Sequence, residues 1–145
     1  MPGEKVHVNG ICLFCSDPRV PLWKNIKKQL IRPEERFVPI GILGGPISLA
    51  NQEDLLRAFN FLMEQIYFAL KNFSPVEEFL CVGHDCGFYS KIARKVDLQG
   101  KKDDVAKIHY FLEKQFHRKV RAYFGDGSRE NFSFEGIAGD VFQSV

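Results

Sequence analysis

No run in this sequence is apolar for long enough to cross a bilayer, and Met1-Pro2-Gly3-Glu4-Lys5 holds no apolar segment of a secretory leader. Both absences point away from a membrane and toward the cytoplasm. Charge of one sign is scarce as well. The net charge is +2, without the basic stripe that nucleic-acid binding requires. The lysines that do cluster, Lys24, Lys27 and Lys28, alternate with Leu22, Trp23, Ile26 and Leu30 at helical spacing and read as the solvated face of a helix. Internal repeats, low-complexity tracts and linkers are missing, so solenoids and multidomain arrangements are excluded and residues 1–145 are expected to form one domain. Cysteines number four, and in a reducing compartment they are metal ligands or buried thiols rather than disulfides.

What is present is apolar surface in quantity. The chain is 45% hydrophobic with 14 Phe, and at 145 residues it can bury roughly two-thirds of its unfolded surface. Val6 to Phe14 reads as a first strand, nearly continuous in apolar residues as in a strand covered on both faces. A short helix from Leu22 to Ile31 follows, then a second strand from Arg36 to Leu43 closed by Gly44-Gly45-Pro46. Asn51 and Asp54 predict the capped start of a long helix running to about Phe73, with Leu55, Phe59, Leu62, Met63, Ile66, Ala69, Leu70 and Phe73 on one stripe. Leu56, Phe61, Tyr67 and Phe68 fall outside that stripe, and the excess points to a homodimer or higher homo-oligomer with this helix or its neighbours in the interface. Phe79 to Val82 forms a third strand, and Phe88 to Val96 a short helix. A polar loop is expected around Asp97 to Lys102, and a helix from Asp103 carrying Val105, Ile108, Leu112 and Phe116. Val120 to Phe124, a Gly125-Asp126-Gly127 turn and Asn131 to Phe134 make a C-terminal hairpin. Strand–helix alternation of this kind gives an α/β fold with a mostly parallel central sheet and flanking helices.

In such a sheet ligands bind beyond the carboxyl ends of the strands. Cys15, the Gly44-Gly45 pair and the His84/Cys86 pair each fall just past a strand end. Two thiols and an imidazole are a set that Zn²⁺ takes tetrahedrally, leaving a fourth place for water or a carboxylate. Cys86 is expected at a helix start, which favours its thiolate. Gly44 and Gly45 allow a sharp turn or a close approach of backbone to a bound group such as a substrate. Asp17 and Arg19 can form a two-pronged ion pair that directs the carboxylate at the metal or its water, or remain a surface pair. Cys12-x-x-Cys15 spells a redox motif, but an offset of three in a strand points the side chains to opposite faces. Cys81 reads as a buried small hydrophobe. His7, His109 and His117 are isolated.

Cys15-Ser16-Asp17-Pro18-Arg19, Gly44-Gly45 and Gly83-His84-Asp85-Cys86-Gly87, in this order, resemble the β-class carbonic anhydrases. The family pattern is Cys-x-Asp-x-Arg, a glycine-rich turn and His-x-x-Cys. The resemblance covers most of the chain, and it implies a β-carbonic-anhydrase-like fold with Cys15, His84 and Cys86 as zinc ligands. It further implies that Asp17 orients a zinc-bound hydroxide or caps the metal, that Arg19 holds Asp17, and that the reaction is reversible hydration of CO₂ to bicarbonate. Relatives on this fold hydrolyse CO₂ analogues, carbon disulfide or carbonyl sulfide, and dimers are usual. This chain departs in two ways: one residue rather than two separates His84 from Cys86, and there is no N-terminal helical arm. Positions i and i+2 of an extended chain lie about 6.5 Å apart, while donors on one zinc want less than roughly 4 Å, so a tight turn is required at Asp85. Two other readings remain: a non-catalytic zinc protein whose fourth site Asp17 closes, and a metal-free redox sensor using Cys15 and Cys86.

Overall fold

The first strand is apolar at every position because it is the middle of a sheet. The computed structural model describes residues 7–17, 20–85, 97–127 and 132–137. Strand β1 (Gly10–Cys15) is buried throughout and pairs in parallel with β2 (Phe37–Ile42) on one side and β3 (Glu78–His84) on the other. Strand β4 (Lys119–Gly127) continues the parallel order beside β3, and β5 (Phe132–Gly136) closes it as an antiparallel edge. The order is β2-β1-β3-β4-β5. Pro39 can stand in β2 because that strand is an edge, where a missing N–H breaks no ladder bond.

Alternation along β1 divides the core. Ile11 and Leu13 join Leu62, Ile66 and Ala69 of helix α2 (Leu56–Asn72) and Val105, Ile108, Leu112 and Phe116 of helix α3 (Leu98–Phe116). Cys12 and Phe14 join Leu22 and Ile26 of helix α1 (Leu22–Gln29), with Phe132 from β5. Cys15, at the strand's end, also packs in this second cluster rather than on the opposite side from Cys12. Both faces are therefore covered, and burying a large aliphatic or aromatic side chain stabilises by about 1.5–3 kcal/mol. Lys24, Lys27 and Lys28 are exposed, as their spacing predicts.

The molecule thus has the α/β class, the mostly parallel sheet, the flanking helices and the C-terminal antiparallel pair expected from sequence. Several boundaries differ. Helix α2 does not start at Asn51. Gly45–Leu49 instead forms a 3₁₀ turn, and the Asn51 amide N–H donates to Ile47 O at 3.0 Å and to the buried Asp104 Oδ2 at 3.3 Å, which ties the side chain back to that turn, while α2 begins only at Leu56. The expected polar loop at Asp97–Lys102 is helical from Leu98, because Asp97 Oδ2 accepts the Gly100 N–H at 2.9 Å as an N-cap. Gly125-Asp126-Gly127 is not a turn but the end of β4, paired with β5 as far as Gly127 opposite Phe132. A Cβ at Gly125 would sit 2.4 Å from the Phe132 ring, so glycine is there for close packing. The expected helix at Phe88 to Val96 lies outside the described residues.

Leu56, Phe61, Tyr67 and Phe68 lie on the outside of α2, exposed by 49% to 65%. The stripe of Leu62, Ile66 and Ala69 is buried. Among the described residues no helix is long and apolar enough to cross a membrane.

Candidate functional site

Parallel pairing places the ends of β1, β2 and β3 at the same edge of the sheet. Cys15 is the last residue of β1, opposite Ile42, the last of β2, and His84 is the last of β3. Beyond Ile42 the chain turns back through Gly44 and Gly45, whose φ angles of 84° and 55° are left-handed and suited to glycine. The turn brings the Gly44 N–H to 3.3 Å from Cys15 Sγ, to which it donates. A Cβ on Gly45 would lie 2.8 Å from Cys15 N, so the second glycine is required by the close approach of this turn to β1.

Asp17 is only 8% exposed although it lies two residues past the strand. Its Oδ2 is 3.5 Å from Nε2 of His84, itself 3% exposed. Cys15 and Asp17 also border an open cavity of about 260 Å³ whose far wall includes Trp23 and Lys24, with the Trp23 ring stacked on Phe14 at 5.2 Å. That is below the roughly 300–1,000 Å³ of sites for drug-sized ligands and suits a small molecule.

The structure thus brings Asp17 to His84, and Gly44 and Gly45 to Cys15. Arg19 and Cys86 lie outside the described residues. Among the described residues no group of three or more His, Cys, Asp or Glu is placed to hold a metal ion. Cys15, His84 and Asp17 are donor types that zinc takes, and all three are buried at this strand-end edge, but the three by themselves do not form such a group, so a metal here would need a ligand from outside the described residues. Two further charged groups lie next to this edge without having been singled out by sequence. Lys101 is 6% exposed and hydrogen-bonded to Asp85 Oδ1, and Asp104 is fully buried. Recognising Asp97 as a cap would have put both on one helix and marked their burial as unusual.

Cys12 and Cys81 belong to the sheet interior, each 0% exposed. Burial pushes both thiols well above their ordinary value of 9.0; in Cys12 the nearby Cys81 adds to this and Arg121 opposes it. A raised acid favours the folded state while it stays protonated. The contribution is therefore complete below about pH 9 and is lost as the pH climbs toward the folded-state values. Stability measured by urea unfolding should fall above pH 9 by up to about 1.4 kcal/mol per pH unit for each thiol. A Cys12→Ala, Cys81→Ala protein should show a flatter alkaline limb.

Comparison with family models, with curated proteins and with solved structures gave no match for this chain.

Proposed function

We propose that this chain is a zinc enzyme that hydrates CO₂ reversibly to bicarbonate, or hydrolyses a CO₂ analogue such as carbon disulfide or carbonyl sulfide. The observation that supports it is a buried carboxylate, Asp17, 3.5 Å from the buried His84 imidazole, at the sheet edge where Cys15 receives a backbone N–H. Cys15, His84 and Cys86 would hold the metal. Zinc in such a site supplies the Lewis acidity that makes water a nucleophile near neutral pH. Asp17 accepts a hydrogen bond from the attacking water and aims its lone pair at the substrate carbon, and Arg19 holds Asp17. Gly44 and Gly45 hold the turn against Cys15, and the open cavity bordered by Cys15, Asp17 and Trp23 is where a linear triatomic substrate would enter. Water and CO₂ combine to bicarbonate, and the released proton passes to solvent buffer.

Stopped-flow hydration of CO₂ by zinc-replete protein at slightly alkaline pH tests this, and a rate equal to that of buffer overturns it. The burial of Asp17 beside His84 also favours a second reading, a non-catalytic zinc protein in which Asp17 takes the fourth place on the metal. Asp17→Asn separates the two. The enzyme keeps its zinc and loses about 10²- to 10⁴-fold in rate, as for loss of a positioned proton acceptor. The closed structural site loses zinc affinity instead. The exposed Leu56, Phe61 and Phe68 of α2 support a homodimeric assembly, checked by light scattering, and the proposed location is the cytoplasm.

A further inference from the structure

We infer that Lys101 is a positioning residue for His84, acting through its ion pair with Asp85; this rests on the zinc reading above. Three features of Lys101 work against its presence for stability alone. Its side chain is 7% exposed, and a buried ammonium is costly unless fully paired. It is the fourth residue of α3, in the first turn, where the helix dipole favours anions and opposes a cation. Its partner Asp85 has a side chain 56% exposed, so that carboxylate would be well solvated without it. An apolar residue at 101 would satisfy burial and dipole better.

What the ammonium adds is a directional hold on one side chain. Asp85 is the first residue outside β3, directly after His84, and so marks where the backbone leaves the sheet. The ion pair ties this exit point to the start of α3. The same helix carries Asp104 one turn further on, fully buried, whose Oδ2 accepts from Asn51 at the end of the 3₁₀ turn that follows Gly44. Helix α3 therefore grips both the segment after β2 and the segment after β3, the two that flank Cys15. Through these contacts it sets where the His84 ring stands relative to Asp17 and Cys15.

The test is zinc affinity of the full chain, by competition with a chromophoric chelator, with the thermal midpoint of the metal-free protein recorded beside it. Lys101→Met preserves length and removes the charge, and should weaken zinc binding about 10- to 100-fold, the range for partners that orient a metal ligand. Lys101→Met should do this without lowering the metal-free midpoint, and Lys101→Arg should restore most of the lost affinity. Asp85→Asn should weaken binding in the same direction but also lower that midpoint, because the Lys101 ammonium then stays buried without the Asp85 carboxylate. The double variant should bind no worse than Lys101→Met alone, because both act through one contact. Affinities of Lys101→Met and Asp85→Asn within about twofold of the unaltered protein overturn the inference and leave the zinc reading standing. An unaltered protein that takes up no zinc overturns that reading, and this one with it. Should Lys101→Met fail to fold, Asp85→Asn, which alters an exposed side chain, decides.

Discussion

Zinc affinity should fall by more than about 100-fold in His84→Ala, beyond the range for residues that only orient a ligand, and CO₂ hydration should drop to the buffer rate. The expectation follows from what the imidazole does in the fold. His84 ends β3, is 3% exposed, and faces the Asp17 carboxylate at 3.5 Å. Alanine there removes a nitrogen donor and also the group against which Asp17 is held. Both consequences act on the same site, so activity and metal content should fall together. The measurement is zinc per chain by elemental analysis after dialysis, paired with stopped-flow assay. Retention of a full equivalent of zinc by His84→Ala would remove this residue from the metal centre.

Gly45→Ala should cost about 2–5 kcal/mol in urea unfolding, from a side chain in left-handed backbone together with overpacking. The residue has a φ of 55°, and its Cβ would sit 2.8 Å from Cys15 N and 2.9 Å from the Phe14 carbonyl carbon. Those neighbours are backbone atoms of β1, an interior strand, not the ends of flexible side chains, so relief requires β1 and the 3₁₀ turn to separate. Separation lengthens the Gly44 N–H to Cys15 Sγ contact of 3.3 Å. The variant should therefore lose zinc affinity as well as stability, whereas a remote core substitution of equal cost should lose stability alone.

Local patterns in the sequence carry part of this architecture, and contacts between distant segments carry the rest. Apolar periodicity in β1, α2 and α3 is a local property set by which faces are covered. It was enough to separate Leu62, Ile66 and Ala69, which are buried, from Leu56, Phe61, Tyr67 and Phe68, which are not. The edge where Cys15 and His84 lie was legible for the same reason, although β1 and β3 end on Cys15 and His84 themselves rather than at Phe14 and Val82. Asn51 was misread as a cap because its competing partner, Asp104, is 53 residues away and no local pattern announces it. Gly125-Asp126-Gly127 resembled a turn because the Phe132 ring that demands glycine at 125 lies across a strand pair. Lys101 reads as a loop residue unless Asp97 is taken as the cap of the helix that contains it. In each case a contact distant in sequence overrode a local preference.

Pro39 on the outermost strand has a consequence for self-association. An uncovered strand is a template for intermolecular polymerisation, since its outward amides can recruit a foreign chain. With an imino nitrogen in the middle of β2, the outward row of donors is interrupted, and a sheet running on from one molecule into the next meets a gap at its centre. Backbone-to-backbone pairing along this flank is therefore disfavoured, and fibril growth there with it.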